Sequence, residues 1–139
     1  MPAWILKTEP EEFSWADLVR LTRAPWDGVR NPQAIGFMKQ MQPGDEAFIY
    51  HTGREKAVVG LAQVVSFPRP DPGGAGVIVD VAPVRPLAAV TLARLREIAP
   101  PGFLILRQPR LSVAPMPQTL RDLLTSASIA LTGRVGVLN

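Results

Sequence analysis

The feature that most constrains the fold is a succession of three strand-like segments in the middle of the chain. Residues 45–52, 56–67 and 77–87 are rich in β-branched and apolar residues, and turn-forming residues separate them. The first two segments, joined by residues 53–55, predict a β-hairpin. Gly60 inside the second segment indicates a β-bulge or a close approach of another part of the chain. Long strands in sequence with helices at the margins predict an antiparallel, curved sheet or a small barrel, and argue against a doubly wound α/β fold.

The segments before the hairpin supply one further strand and two helices. Residues 3–9 predict a strand, and Ser14 predicts a capped helix start. Asn31 and Pro32 suit the cap and the first position of a second helix, which we expect to run to about Met41.

The segments after the hairpin carry weaker signals. Residues 68–76, rich in Pro and Gly, predict an exposed and mobile loop. Residues 92–98 predict a short helix, residues 103–106 favour an extended conformation, and residues 110–113 predict a short strand. A last helix is predicted to begin near Pro117 with an apolar face made of Leu120, Leu123, Leu124 and Ala127.

Composition excludes several kinds of site. The 139 residues include no Cys and a single His, His51, which excludes disulfides, thiolate sites and multi-histidine metal sites. Hydrophobic residues make up 47% of the chain and charged residues 19%, which predicts one globular domain over residues 1–139. The net charge of +3 favours a weak attraction to nucleic-acid phosphate. The sequence contains no membrane-spanning apolar run and no signal-peptide pattern, so we expect a cytoplasmic protein without membrane partner, metal or cofactor.

Residues 26–31, Trp-Asp-Gly-Val-Arg-Asn, are the least ordinary stretch of the chain. Gly28 is free to take a positive φ, so the loop can turn sharply before the second helix. Such a loop can aim an aromatic face and several hydrogen-bonding groups into one small space. The structural alternative is a capped helix with a buried Trp26 and a surface pair of Asp27 and Arg30.

The polar residues of the chain fit a pocket for a flat ligand. Trp26 or Tyr50 can stack on a nucleobase. The side chains able to read the edge of such a base are Lys7, Arg30, Asn31 and Ser112. Each has a structural alternative, such as a core role for Trp26 or a barrel role for Tyr50, and His51 at a strand end is typical of a hydrogen-bonded structural residue.

An enzymatic alternative rests on the end of the first strand. Lys7, Thr8 and Glu9 supply a base, a nucleophile and an acid, as in some small barrel amidohydrolases. Strand alternation directs Thr8 away from Lys7 and Glu9, which argues against this arrangement. A serine-protease type of site is also disfavoured, because no nucleophile-elbow motif accompanies His51.

Ten short motifs in a fixed order cover the chain to about residue 120. They occupy residues 4–10, 13–15, 26–31, 33–34, 43–45, 48–51, 59–62, 70–72, 79–81 and 110–113. The most specific are Lys-Thr-Glu-Pro at residues 7–10 and Trp-Asp-Gly-Val-Arg-Asn at residues 26–31. Together the motifs resemble the EVE domain family, a branch of the PUA-like superfamily.

The resemblance implies an α+β fold, a PUA-like, mixed, mainly antiparallel β-barrel with peripheral helices. It also implies a nucleic-acid-binding module whose pocket takes a flipped modified base, with 5-methylcytosine or an oxidised derivative favoured. The family's pocket corresponds here to Lys7, Thr8, Glu9, Trp26, Val29, Arg30, Asn31, Tyr50, His51, Leu111 and Ser112. Thr8 stands where Ser is common, and its added methyl group narrows the expected site.

We therefore expect a base-binding module with no catalytic residues. Trp26 or Tyr50 would stack on the base. Edge hydrogen bonds would come from Thr8, Asn31 and Ser112, whereas Lys7 and Arg30 would hold phosphate or orient Glu9. Two alternatives remain: a small hydrolase acting on a modified nucleoside through Lys7, Thr8 and Glu9, and a protein-interaction module without nucleobase affinity. The sequence leaves open DNA or RNA, the modification, the oligomeric state and a partner protein that adds phosphate affinity.

Overall fold

The computed structural model describes residues 2–74 and 76–126, which fold into one curled sheet with short helices around it. The strands are β1 (Ala3–Thr8), β2 (Ala24–Trp26), β3 (Glu46–His51), β4 (Ala57–Val64), β5 (Arg69–Pro70), β6 (Val77–Thr91) and β7 (Val113–Pro115). The helices are α1 (Trp15–Leu21), α2 (Pro32–Met38), α3 (Leu92–Ile98), α4 (Leu104–Arg107) and α5 (Gln118–Thr125).

The sheet is mixed and mainly antiparallel, as predicted. Its strand order is β2-β6-β4-β3-β1-β7, and β5 pairs with β6 beside this path. β1 runs parallel to β3, and the other pairs are antiparallel. Among the described residues β2 and β7 do not pair with each other, so the sheet forms a half-barrel with its two ends open.

The pairing of β4 with its two neighbours is irregular. The register of β4 shifts against β3 near Ile49 and against β6 on both sides of Gly60. Bulges of this kind bend a strand and increase its twist. Gly60 also allows the close approach that its position predicts, because a Cβ there would overlap the ring of Trp15 at the start of α1.

The two N-terminal helices begin where the sequence predicts. Ser14 and Asp17 form a reciprocal capping box at α1. The side chain of Asn31 accepts hydrogen bonds from the backbone of Gln33 and Ala34, and Pro32 opens α2. α2 ends at Met38 rather than near Met41, because tight turn bonds from Gln40 to Phe37 and from Met41 to Met38 replace the helical pattern.

The structure corrects several predictions for the second half of the chain. Residues 103–106 are not extended, since α4 makes one helical turn there and buries Ile105. A four-residue apolar run carries too little periodicity to separate the two conformations. Residues 68–76 are not simply an open loop, since β5 pairs Arg69 with Ile78 and Pro70 with Val77.

Two further boundaries differ from prediction at the C-terminal end. The last strand is Val113–Pro115, so only its first residue falls within the predicted segment. On α5 Leu120 and Leu124 are buried as predicted, whereas Leu123 is 40% exposed. Ala127 and the tail after it lie outside the described residues.

Among the described residues one hydrophobic cluster includes buried side chains from Ala3 to Leu124. The prediction of one domain over residues 1–139 stays a prediction, because the cluster involves only described residues. None of the helices found in residues 2–74 and 76–126 has the length and apolar character needed to cross a bilayer.

Candidate functional site

A cavity of about 600 Å³ opens where the end of β1 faces the segment that contains β2. Three separate parts of the chain form its wall: residues 7–13, residues 21–30 and Ser112. The lining residues are Lys7, Thr8, Glu9, Glu12, Phe13, Leu21, Ala24, Pro25, Trp26, Asp27, Gly28, Val29, Arg30 and Ser112. We call this space the first cavity.

A tight turn after β1 shapes one wall of the first cavity. The carbonyl of Glu9 accepts hydrogen bonds from the backbone of Glu12 and Phe13, which folds the chain back on itself. The Thr8 hydroxyl donates to the Phe13 carbonyl at 2.7 Å. The carbonyl of Thr8 in turn accepts from the backbone of Thr52, so the turn is fixed to the end of β3.

The loop of residues 26–31 forms the opposite wall and is held from two sides. Gly28 has φ 73°, the left-handed conformation that its position predicts. Its N–H donates to the Asp71 carboxylate at 3.3 Å. Gly76 packs so closely that a Cβ there would lie 2.8 Å from the carbonyl of Val29. Asp71 and Gly76, which lie between β5 and β6, therefore contact the loop of residues 26–31 and clasp it.

Trp26 supplies the aromatic surface of the first cavity while belonging mostly to the core. Its side chain is only 6% exposed. The Phe13 ring meets it edge to face, with centroids 5.9 Å apart and planes at 85°. The predicted core role of Trp26 is therefore confirmed, whereas its stacking on a base stays a prediction.

The mouth of the first cavity carries more acid than base. Glu9, Glu12 and Asp27 line it and are exposed, as is Arg30. Within the described ranges none of these four side chains forms an ion pair, so their charges are free to meet a ligand. The surface pair of Asp27 and Arg30 expected as the structural alternative is not formed.

Lys7 lies at the inner edge of the first cavity and is held in place by two contacts. Its Nζ donates to the Pro109 carbonyl at 3.0 Å and lies 5.7 Å from the centre of the Tyr50 ring. Burial lowers the pKa of this lysine below its ordinary value, because desolvation disfavours the charged form.

This geometry does not favour the amidohydrolase alternative. Lys7, Thr8 and Glu9 all line the first cavity, although strand alternation predicted that Thr8 would point away, because β1 ends at Thr8 and the turn begins. The hydroxyl of Thr8, however, donates to a backbone carbonyl and not to Lys7. A threonine nucleophile needs an adjacent base to accept its proton, and this pair is not arranged to supply one.

Seven of the eleven predicted pocket residues meet in the first cavity, and four do not. The seven are Lys7, Thr8, Glu9, Trp26, Val29, Arg30 and Ser112. Asn31 uses its side-chain oxygen to cap α2. Leu111 is 2% exposed and Tyr50 is 4% exposed, and both belong to the core.

His51 is the fourth predicted residue outside the first cavity. Its Nε2 accepts from the Trp15 backbone at 3.0 Å, and its Nδ1 lies 2.7 Å from the Glu55 carboxylate. This is the hydrogen-bonded structural role typical of a lone histidine. For these four residues a direct base contact stays a prediction.

Sequence reasoning missed several lining residues. Phe13 and Glu12 are not among the predicted pocket residues, and no periodic signal in the sequence marks Glu12. Leu21, at the end of α1, is 50% exposed and lies on the rim. Its position depends on how α1 packs on the sheet, which no local pattern reveals. Among the described residues no group of three or more His, Cys, Asp or Glu side chains is placed to hold a metal ion.

The family of the chain follows from residues 2–127, which match the family model of the EVE domain. The chain belongs to the EVE domain family. Its predicted PUA-like fold is accordingly confirmed, and the ASCH protein of Zymomonas mobilis shares that fold alone, with a TM-score of 0.58 and 17% identity.

The sequence of the chain is similar to that of human thymocyte nuclear protein 1. It is 39% identical over 80 residues, which cover 49% of this chain and 36% of the human protein. This chain therefore spans well under two thirds of that relative.

Two solved structures show similarity over most of the chain. The NMR structure of Rpa0253 from Rhodopseudomonas palustris has a TM-score of 0.82 and 32% identity, and covers 100% of this chain and 96% of that one. Human thymocyte nuclear protein 1 in complex with DNA containing 5-methylcytosine has a TM-score of 0.80 and 29% identity. That comparison covers 88% of this chain and 95% of the human one.

Proposed function

We propose that the chain is a nucleic-acid-binding module that holds an extruded modified base in the first cavity, with a cytosine modified at carbon 5 as the preferred base. The observation that carries this proposal is the first cavity itself, which combines an aromatic wall, Trp26, with unpaired acceptors at its mouth. Membership of the EVE domain family supports it, as does the 5-methylcytosine DNA that a relative at 29% identity binds.

The charges at the mouth favour cytosine over thymine or uracil. Cytosine presents an exocyclic amino group, which donates hydrogen bonds, and carboxylates are suitable acceptors for it. Glu9, Glu12 and Asp27 are such acceptors. Thymine and uracil present a carbonyl at the same place, which these carboxylates would repel. The half-buried Val29 and the exposed Leu21 offer apolar contact for a methyl group.

Extruding a base costs a few kcal/mol, and the first cavity must recover that cost. Stacking on an aromatic side chain contributes roughly 1–3 kcal/mol per base. Edge hydrogen bonds must supply the remainder, and Ser112 is the best placed neutral donor, because no partner inside the described structure uses its hydroxyl. Binding should therefore be tightest where the base is already weakly paired.

The test is a binding titration at one stated salt concentration. Oligonucleotides carrying cytosine, 5-methylcytosine, 5-hydroxymethylcytosine or thymine at one position are compared, each as DNA and as RNA. We expect a modified cytosine to bind more tightly than cytosine and thymine. Ser112→Ala should weaken that binding about twofold to tenfold, the range for one lost hydrogen bond.

The matched control is Thr119→Ala, which removes an exposed hydroxyl on α5 that does not line the first cavity. It should leave all affinities unchanged. Equal affinity for every base, with no effect of Ser112→Ala in a folded protein, would overturn the proposal. Preference for the DNA series or the RNA series assigns the nucleic acid.

A further inference from the structure

A second cavity, of about 290 Å³, shares Lys7 with the first and is lined by residues at the ends of β1 and β3 together with residues of α3 and α4. Three cationic side chains line it: Lys7, Lys56 and Arg96. Tyr50 adds a hydroxyl group, whereas the Thr52 hydroxyl already donates to the Thr8 carbonyl at 3.3 Å. Among the described residues no Asp or Glu lines the second cavity. The space is therefore rich in hydrogen-bond donors and positive charge.

The two cavities differ in the sign of their lining charge. The first has two cations, Lys7 and Arg30, against three carboxylates. The second has three cations and no carboxylate. A neutral base with donor groups suits the first cavity. An anion suits the second, because it reduces the electrostatic repulsion among the three cationic side chains.

Lys7 connects the two cavities, because it lines both. Its Nζ donates one hydrogen bond to Pro109 and carries three protons, so two remain for a ligand. Tyr50, whose ring centre lies 5.7 Å from the Lys7 Nζ, lines the second cavity together with Arg96. Burial raises the pKa of Tyr50, and the positive charge of Arg96 opposes that rise.

Lys56 and Arg96 have no competing partner in the described part of the chain. Neither forms an ion pair or a side-chain hydrogen bond there. Other arginines of the molecule are engaged in this way, such as Arg121 with Glu46. Unpaired cations that converge on one concave space are the arrangement that holds phosphate groups.

We propose that the second cavity binds a backbone phosphate of the same nucleic-acid strand, next to the nucleotide whose base occupies the first cavity. This inference rests on the proposed function and adds the place where the strand is anchored. Lys7, shared by both cavities, sets the short distance between base and phosphate. Phosphate contacts of this kind fix register and orientation and carry no sequence information.

The first experiment measures how affinity depends on salt for wild type and Arg96→Gln. The logarithm of the association constant falls with the logarithm of salt concentration by about 0.9 for each duplex phosphate contact. We expect Arg96→Gln to reduce this slope by about that amount. We expect Lys56→Gln to do the same, and the preference for modified cytosine to stay unchanged in both variants.

Arg94→Gln is the matched control. Arg94 lies on the same helix, α3, and its replacement removes the same charge, but its guanidinium pairs with Glu97 and does not line the second cavity. Two residues apart on a helix, the side chains face different directions. The slope should equal that of the wild type. An equal loss in Arg94→Gln and Arg96→Gln would overturn the proposal, because only overall charge would then matter.

The second experiment locates the phosphate. Each phosphate flanking the modified nucleotide is replaced in turn by a neutral methylphosphonate. We expect one replacement to weaken binding to the wild type severalfold and to weaken binding to Arg96→Gln less, because one of the three cationic contacts to that phosphate is already lost in the variant. Independent, additive effects at every position would overturn the proposal.

The two proposals fail in distinguishable ways. If the wild type shows no base preference, the proposed function fails, and the slopes of Arg96→Gln and Arg94→Gln still decide on the phosphate site. The base preference can be present and depend on Ser112 while Arg96→Gln has the same salt dependence of binding as the wild type. In that case only the proposed phosphate site is wrong.

Discussion

Thr8 and Ser112 bring hydroxyl groups to the same cavity with different hydrogen-bonding capacity. The proton of Thr8 is committed to the Phe13 carbonyl, so this hydroxyl can only accept from a ligand. Ser112 contributes its backbone carbonyl to Lys7 and keeps its side chain free within the described structure. Ser112 can therefore donate to a ring nitrogen or carbonyl of a base, which Thr8 cannot.

Trp26 is the residue for which truncation is least informative. It is buried against Phe13, so Trp26→Ala removes core volume as well as a stacking surface. Large-to-small changes of this kind cost about 3–5 kcal/mol. Loss of binding in that variant would combine unfolding with loss of the ligand contact, and for this reason the smaller change at Ser112 is the better probe of the first cavity.

His51 is predicted to matter for stability and not for ligand preference. Its Nε2 accepts from the N–H of Trp15, the first residue of α1 and one of the helix donors without an intrahelical partner. His51→Phe should lower the free energy of unfolding by about 1–3 kcal/mol, the cost of a buried unpaired donor. Chemical denaturation followed by far-UV circular dichroism measures the loss.

His51→Gln is the control, because its side-chain carbonyl can still accept from Trp15. It should cost less than His51→Phe. A folded His51→Phe protein that loses its preference for modified cytosine at unchanged stability would contradict this assignment and return His51 to the predicted pocket.

The helix starts were predictable from sequence because their physics is local. The capping box of Ser14 and Asp17 acts over three residues, and so does the hydrogen bond that the Ala34 N–H donates to the Asn31 side-chain oxygen. The sequence predicted that His51 is a hydrogen-bonded structural residue. It did not predict its partner, because Trp15 is 36 residues away. Which donor a buried acceptor meets depends on the packing of α1 on the sheet.

At the scale of elements, the hairpin of β5 and β6 clasps the loop that forms the outer wall of the first cavity. Asp71 accepts from Gly28, and Gly76 lies against the carbonyl of Val29. The sequence predicted an exposed and mobile loop here because Pro and Gly are typical of such loops. The strand pairing and the close approach are long-range contacts that composition does not report.

Gly76→Ala should disturb both stability and binding. Its Cβ would lie 2.8 Å from the Val29 carbonyl and 3.2 Å from Ile35, so the hairpin or the loop must shift. We expect a loss of about 1–3 kcal/mol in unfolding free energy, typical of overpacking. We also expect weaker binding of the modified strand, since the shift moves the wall of the first cavity.

Gly74→Ala is the control in the same hairpin loop, because a Cβ there would meet nothing within 4 Å. It should change stability by no more than about 0.5 kcal/mol, as for other surface substitutions. Equal effects of the two substitutions would show that the clasp contributes nothing to the position of the wall.

At the scale of the whole molecule, Asp80 joins three parts of the chain at one side of the sheet. Lying on β6, it accepts from Arg69 of β5 at 2.8 Å and from Arg23, just before β2, at 2.9 Å. The hydrogen bond from Arg69, followed by that from Arg23, lowers the pKa of this carboxyl below its ordinary value. The side chain of Asp80 is 15% exposed, whereas both arginines are about half exposed, so solvent screens part of the interaction.

This lowered pKa gives a prediction for acid stability. A carboxyl with a lower pKa in the folded state stabilises it above the unfolded pKa, and the contribution is lost as pH falls through the folded value. Asp80→Asn should cost about 1–2 kcal/mol near neutral pH, after allowance for screening. The difference in unfolding free energy between wild type and variant should shrink below about pH 4, where the Asp80 carboxyl of the unfolded chain becomes protonated.

Urea denaturation at a series of pH values measures this difference. Glu97→Gln, which removes the exposed partner of Arg94 on α3, is the control and should show little change at any pH. A difference for Asp80→Asn that stays constant from neutral pH to pH 2 would contradict the linkage.

The candidate site could be predicted only in part, because it is a property of the whole molecule. Seven predicted residues meet in the first cavity. The chemistry of the side chains indicated Lys7, Trp26, Arg30 and Ser112, and the family resemblance added Thr8, Glu9 and Val29. The contact from Lys7 to Pro109 spans 102 positions of sequence. The parallel pairing of β1 with β3 places Tyr50 beside Lys7, and Ser112, just before the antiparallel partner β7, accepts from the Lys7 backbone on the other side.

The position of β1 also determines the order in which its two pairings can form during synthesis. β1, the first strand of the described residues, lies between β3 and β7, which is the last strand among them. During synthesis one edge of β1 stays without its neighbour until nearly all described residues have left the ribosome. Pairings so distant in sequence close large loops and slow folding. An exposed edge of apolar residues during that interval is a point where two nascent chains can pair.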